Sequence, residues 1–223
     1  MDEALRRSSA HVLASNIEQP ELADEVSHHL QRVLRLRDGE SVTVTDGAGR
    51  WRECCWNGQS VEVVGDIQVT GIRDKLVVAV AIPKGDRLEW MVQKLVEIGA
   101  DQIQLLAADR SVVKWDDKRI QKNVERLHRV VEAAIVQSRR VWNCEIVAPV
   151  STHEFLPGMM IAEPGGRDLQ PDDRAIAIGP EGGWSDAEIA TASGRVSLSD
   201  QVLRVETAAV VATTLMAAQR KRM

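Results

Sequence analysis

The spacing of apolar and polar positions divides the chain into two differently patterned stretches. In the first, Ser41-Val42-Thr43-Val44-Thr45-Asp46 alternates with the two-residue period of a half-buried strand, Gly47-Ala48-Gly49 reads as a turn, and Trp51 to Trp56 as the returning strand. Asn57-Gly58 predicts another turn, followed by the short runs Val61 to Val64 and Ile67 to Val69. Asp24 or Ser27 can cap a short helix through Leu30, Val33 and Leu34. Short strands joined by tight turns predict a small barrel or sandwich over about residues 1–70.

The pattern changes after Asp74. Leu76 to Ile82 is an apolar run suited to a strand covered on both faces. A helical stripe follows (Leu88, Met91, Val92, Leu95, Ile98), with Gly99 as its C-cap. Ile103 to Ala107 predicts a strand. Ile120, Val124, Leu127, Val130, Val131 and Ala134 mark a long amphipathic helix. Ile146-Val147, Met159 to Ile161, Ala175 to Ile178 and Val196 to Leu198 are further strands, and a last helix runs from about Glu206 to Gln219. Alternating strands and helices predict a mostly parallel sheet with helices on both faces. Such sheets bind ligands beyond the carboxyl ends of their strands, which points to the loops after Ala107, Ile178 and Leu198. The boundary falls between Gly71 and Lys75, giving domains 1–72 and 73–223.

Composition adds constraints. An apolar fraction of 44% with 27% charged residues is that of an ordinary globular chain. The net charge of -5 argues against a uniformly basic nucleic-acid binder, but charge is unevenly spread. Residues 110–140 carry nine Lys/Arg and four acids, a local balance of +5, and Arg32, Arg35 and Arg37 form a second basic cluster. Either can face a phosphate backbone or simply be a solvated surface. Trp51 and Trp56, beside Arg50 and Arg52, suit a barrel core or base stacking. Cys54 and Cys55 are neighbours that point to opposite faces of a strand, and with Cys144 they read as free thiols of a reducing compartment. The histidines lack ligand spacing, so no metal is expected. No segment is long and apolar enough for a membrane span, and the acidic start Met1-Asp2-Glu3 does not resemble a secretory signal, so a cytoplasmic location is expected.

The densest motif is Ile178-Gly179-Pro180-Glu181-Gly182-Gly183-Trp184-Ser185-Asp186-Ala187-Glu188. A strand feeds a glycine-rich loop, and Ser185 with Glu188 forms a capping-box pattern that starts a helix. The loop lacks the dinucleotide fingerprint and the lysine of a phosphate-binding loop, and Glu181 disfavours phosphate. The second motif is Leu203-Arg204-Val205-Glu206-Thr207, at the start of a helix rich in small residues. It reads as a cap with a salt bridge, or as a catalytic Arg204/Glu206 pair. Arg110, Gln137 and Arg140 are candidates to meet a substrate or to bond the ends of elements.

With Lys84-Gly85-Asp86-Arg87-Leu88-Glu89, Gln93-Lys94, Arg110-Ser111 and Gln137-Ser138 in the same order, these segments closely resemble the bacterial ribosomal RNA small-subunit methyltransferase E family of the knotted SPOUT superfamily. The resemblance implies a PUA-like, RNA-binding N-terminal β-barrel and a C-terminal α/β trefoil knot. It further implies a homodimer that transfers a methyl group from S-adenosylmethionine to N3 of a uridine in 16S rRNA of the small ribosomal subunit. Carried over by position, the cofactor loops hold Gly179, Pro180, Glu181, Gly182, Gly183, Leu198, Ser199, Gln201 and Leu203. Arg204 and Glu206 are catalytic, and Arg6, Arg7, Arg32, Arg35, Arg110, Gln137 and Arg140 meet RNA. The family's usual Leu-Gly-Pro-Arg is here Leu198-Ser199-Asp200-Gln201, and its usual glycine after Gln-Ser is Arg139. The rival expectations are a knotted methyltransferase acting on tRNA or 23S rRNA, and an RNA-binding or ribosome-assembly protein without catalysis.

Overall fold

The computed structural model describes residues 2–220, which form two compact units. One gathers the chain up to Arg73 together with Glu132–Asn143. The other gathers Asp74–Val131 and the chain from Cys144 onward.

In the first unit, α1 (Glu3–Arg7) is capped by Asp2, whose carboxylate accepts the Ala4 amide proton at 2.8 Å. β1 (Ala10–Leu13) runs parallel to β2 (Ser41–Thr45), and β3 (Arg50–Trp56) returns antiparallel to β2. β3 also pairs with β4 (Val61–Val63) and β5 (Gln68–Val69), completing a five-stranded sheet. Neither α1 nor β1 is legible in the sequence pattern, since both are very short. The helix expected near Leu30 is α2 (Asp24–His28) continuing into a π-helical turn, His29–Val33. Val12, Ile17, Leu30, Val42, Val44, Cys54 and Trp56 fill the core, and Trp51 packs with Leu5 and Val141. Both tryptophans are therefore core residues rather than stacking platforms. The cysteines form no disulfide among the described residues, and burial pushes the Cys54 thiol up to about 11.

The residues Arg139 to Asn143 belong with this sheet. The Gly49 amide donates to Val141 O at 2.8 Å and the Asn143 amide to Gly47 O at 2.7 Å. The Trp142 ring lies so close to Gly49 that no Cβ would fit there. Arg139 adopts a left-handed φ of 56°, which explains why glycine suits the position. Its guanidinium offsets that strain by donating to Leu5 O at 2.8 Å, to Ser8 O at 2.7 Å and to the Ser8 hydroxyl. His11 is buried beside it. Its Nδ1 bonds the Thr43 hydroxyl at 2.8 Å and its Nε2 the Arg140 carbonyl at 2.9 Å. Burial lowers its pKa to about 4; the Arg140 carbonyl opposes the shift, and the Arg139 charge adds to it.

The second unit is built on a six-stranded sheet in which every pairing is parallel. Its strands are β6 (Val77–Ala81), β7 (Gln102–Ala107), β8 (Glu145–Ser151), β9 (Met160–Asp168), β10 (Ala175–Ile178) and β11 (Gly194–Ser197), in the spatial order β11-β9-β10-β6-β7-β8. The helices are α3 (Arg87–Ile98), α4 (Asp117–Ser138), which belongs to this unit as far as Val131, α5 (Thr152–Phe155), α6 (Asp186–Thr191) and α7 (Val205–Arg220). Ala79, Ala81, Leu106, Ile161 and Ala177 form one packed layer with Leu156 and Trp184, against which residues of α5 and α6 rest. Alternation turns Val78 and Val80 to the other face, and α7 packs on β6, β10 and α3.

One irregularity shapes the site. Against β11, Arg195 pairs with Ile161, but the next residue, Val196, pairs with Arg167. β9 therefore makes an excursion over Ala162–Gly166 before rejoining its neighbour. Gly166 sits so near the backbone of Arg195 and Val196 that a Cβ would lie 2.6 Å away.

Candidate active site at the carboxyl ends of the parallel strands

The Gly179–Trp184 loop leaves β10 where a parallel sheet opens to ligands. Gly183 holds a positive φ of 69°. Gly179 lies under the Trp184 indole, where a Cβ would come within 2.9 Å of the ring, and the indole donates to Ala162 O at 3.1 Å. Glu181 turns back and accepts the Lys84 amide proton at 2.9 Å. The second loop, Leu198 to Leu203, leaves β11. Ser199 Oγ accepts the Gln201 amide proton at 3.1 Å, a local turn that takes the place of the family's glycine and proline.

These loops and the β9 excursion enclose a cavity of about 430 Å³. Of the nine residues expected in the cofactor loops, Gly179, Pro180, Glu181, Gly183, Leu198, Ser199, Gln201 and Leu203 line it. Gly182 does not: it faces Arg110, whose guanidinium approaches the Gly182 carbonyl at 3.4 Å. Sequence reasoning missed the wall made by Ala162, Glu163 and Pro164. The run Glu163-Pro164-Gly165-Gly166, which ends the apolar stretch Met159–Ala162, was its available signal.

A buried carboxylate holds this end of the sheet together. Glu188 is fully buried, completes the capping box with Ser185, and accepts from the Ser185 amide at 2.7 Å, the Thr152 hydroxyl at 2.7 Å and the Asp109 amide at 3.0 Å. Each of these bonds brings a donor to an acceptor-only group, so its burial is compensated. Asp109 adds a second connection, accepting from Ser185 Oγ at 2.6 Å and meeting His153 Nε2 at 3.1 Å. The Ser185 bond first, and then His153, hold its carboxyl below the usual range. The segment carrying Arg110 is thus tied to the glycine-rich loop.

Arg204 lines the cavity, is exposed, and its side chain makes no hydrogen bond or ion pair among the described residues. Glu206 is buried, and its partner is Arg87 rather than Arg204: Arg87 Nη1 lies 3.0 Å from Glu206 Oε1. Of the residues expected to meet RNA, Arg6, Arg7, Arg32, Arg35, Arg110 and Gln137 are exposed, with Arg7 paired to Glu3 at 2.8 Å. Arg140 is half-buried and bonds the Trp142 carbonyl at 3.0 Å. Arg110 belongs to the second unit, whereas Gln137 and Arg140 belong to the first. Among the described residues no group of three or more His, Cys, Asp or Glu could hold a metal ion, and no helix is long and apolar enough to cross a membrane.

Residues 72–217 match the RNA methyltransferase domain family and residues 22–56 the RNA methyltransferase PUA domain family. The ribosomal RNA small subunit methyltransferase E of Synechocystis sp. is 32% identical over 212 residues, covering 83% of this chain and 68% of that protein. The protein of the same name from Bacillus subtilis is 26% identical over 236 residues, covering 89% of each. Among solved structures, a Legionella pneumophila protein named as a methyltransferase, in complex with the bound cofactor SAM, superposes with a TM-score of 0.81 at 29% identity, over 95% of this chain and 98% of its own.

Proposed function

The chain belongs to the ribosomal RNA small subunit methyltransferase E family, and on that footing we propose that it transfers a methyl group from S-adenosylmethionine to N3 of a uridine in 16S rRNA of the small ribosomal subunit. The observation that carries the reading is the cavity between the excursion of β9 and the loops that follow β10 and β11, with an unpaired arginine among its lining residues. Its volume is in the range of small-molecule sites. The residues fit the cofactor. Ile178, Leu198, Leu203, Val205 and Ala208 offer apolar walls to a purine ring, glycine edges expose backbone, and Glu163 and Glu181 favour a cationic ligand over a phosphate.

S-adenosylmethionine supplies a methyl group activated by a sulfonium. Uridine N3 carries a proton and becomes a good nucleophile only as that proton passes to solvent water and charge spreads onto O2 and O4. Arg204 is the group we assign to stabilise that charge. Glu206, held by Arg87, fixes the first turn of α7, from which Val205 and Ala208 line the cavity. We assign it a positioning role, because its buried carboxylate is turned to Arg87 and does not line the cavity. The loops align the target with the methyl group, and orientation supplies much of the rate. In this reading the chain passes through these loops as a trefoil knot and works as a cytoplasmic homodimer, for which the exposed Val202 and Leu215 offer apolar surface. Arg6, Arg7, Arg32, Arg35, Arg110, Gln137 and Arg140 remain the proposed RNA contacts.

Calorimetry with S-adenosylmethionine, followed by mass spectrometry of small subunits from a deletion strain after adding the protein, tests the reading. The expected outcome is cofactor binding and one new methyl group on a 16S uridine. Arg204→Ala should keep cofactor affinity and lose about 100-fold or more in turnover. Absence of cofactor binding would identify a binding module, and methylation of tRNA or 23S rRNA instead would identify a different target.

A further inference from the structure

The second unit holds another cavity, of about 390 Å³, that the methyl-transfer reading leaves without a role. Its lining includes Pro83, Asp86, Glu89, Trp115, Asn123 and Arg126. Pro83, Asp86 and Glu89 follow β6 and Trp115 follows β7, so the cavity lies at the same ligand-binding end of the sheet as the first. The two cavities border one loop: Pro83 and Gly85 line the second, and Lys84 between them donates its amide proton to Glu181, which lines the first.

The lining has the chemistry of a base site. Trp115 is half-buried and offers an aromatic face, and every nucleobase has a face to stack on it. Asn123 is half-buried, and its side-chain amide makes no hydrogen bond among the described residues; one donor and one acceptor are therefore available to the edge of a base. Arg126 Nε pairs with Glu89 at 2.8 Å, which fixes both side chains at the rim. Asp86 and Glu89 disfavour a phosphate inside but accept from base N–H groups. The exposed Lys114, Lys118 and Lys122 on the bordering segments suit the phosphates outside. A neutral aromatic ring on a charged backbone matches this distribution.

We propose that this cavity takes an unstacked base of the RNA substrate, next to the uridine presented to the first cavity; the assignment rests on the RNA-methylating function proposed above. Such a site gives the enzyme a grip on single-stranded sequence beside its target and helps hold the target out of the stack.

The test uses the full-length protein and small ribosomal subunits from a strain lacking the modification. Trp115→Ala and Asn123→Ala should each weaken subunit binding and raise KM for subunits by about tenfold, while calorimetric affinity for S-adenosylmethionine stays unchanged. Trp115→Phe should restore most of the loss, because it keeps a ring. Unchanged subunit affinity in both alanine variants would overturn the proposal, as would an equal loss of cofactor affinity, which would mark the cavity as structural. If Trp115→Ala does not fold, Asn123→Ala decides, together with 4-thiouridine crosslinking, where absence of a crosslink to the Trp115 peptide counts against the site. Subunit binding is measured apart from turnover, so a wild-type protein that transfers no methyl group would sink the proposed function while the binding arm still judges the base site.

Discussion

Glu188 in one unit and His11 in the other are both shut away from water, and the two burials work in opposite ways. Glu188 in the parallel-sheet unit is an acceptor met by three donors, from Ser185, Thr152 and Asp109. His11 in the mixed-sheet unit bonds a hydroxyl through one ring nitrogen and a carbonyl through the other. With its pKa near 4, the ring is neutral at physiological pH, so Nε2 carries the proton donated to the Arg140 carbonyl and Nδ1 accepts from Thr43. A carboxylate surrounded by donors ties loops together. A neutral imidazole between an acceptor and a hydroxyl does so only while it stays neutral.

The largest effect that could break this contrast is Glu188→Gln. The substitution keeps the shape but sets an amide NH₂ against N–H donors, and should cost about 3 kcal/mol or more in urea unfolding. It should also weaken S-adenosylmethionine binding, because the glycine-rich loop loses its anchor. A stable variant with full cofactor affinity would show that the three bonds are not what holds the loop.

Acid comes next. The folded-state pKa of His11 lies below its ordinary value of 6.5, so its contribution is intact above about pH 6.5 and is lost as pH falls toward 4. The loss should reach about 3 kcal/mol. His11→Gln, which can both donate and accept, should flatten that pH dependence. Unfolding curves that change equally between pH 7 and 4.5 in both proteins would remove His11 from the account.

A smaller effect is expected for Arg139→Gly. Glycine relieves the left-handed backbone, but the bonds to Leu5 and Ser8 disappear, for a net loss of about 1 kcal/mol. Removing the neighbouring positive charge should also let the His11 pKa rise toward its ordinary value, so that less stability is lost on acidification than in wild type. The smallest change should come from Asp109→Asn, whose side chain is largely solvated and whose backbone amide still reaches Glu188. Its thermal midpoint should be the nearest of the variants to wild type.

The sequence made the local half of these features legible. The Ser185/Glu188 capping box follows from a three-residue spacing, and the loop from Gly179 to Gly183 from its glycines. The other two partners of Glu188 come from Thr152 and Asp109, which only the order of strands brings near. The same holds for Arg87 and Glu206, joined by the packing of α3 against α7. Most long strands were legible from their apolar runs. β1 was not, because Ala10 to Leu13 is stabilised by its parallel neighbour rather than by its own pattern. The departure at Arg139 was visible, but its compensation was not, since the carbonyls it grips belong to the other end of the same unit.

The excursion in β9 has a consequence for the order in which the protein takes shape during synthesis. Arg167 and Asp168 rest against Val196 and Ser197, which emerge from the ribosome well after them. Until that later strand arrives, the stretch from Glu163 to Gly166 lacks the neighbour against which β9 closes its excursion, however early β10 has paired with Ala162. The binding competence of this chain is therefore acquired late in translation, and a nascent chain stopped short of β11 should carry an assembled N-terminal sheet and no methyl-donor site.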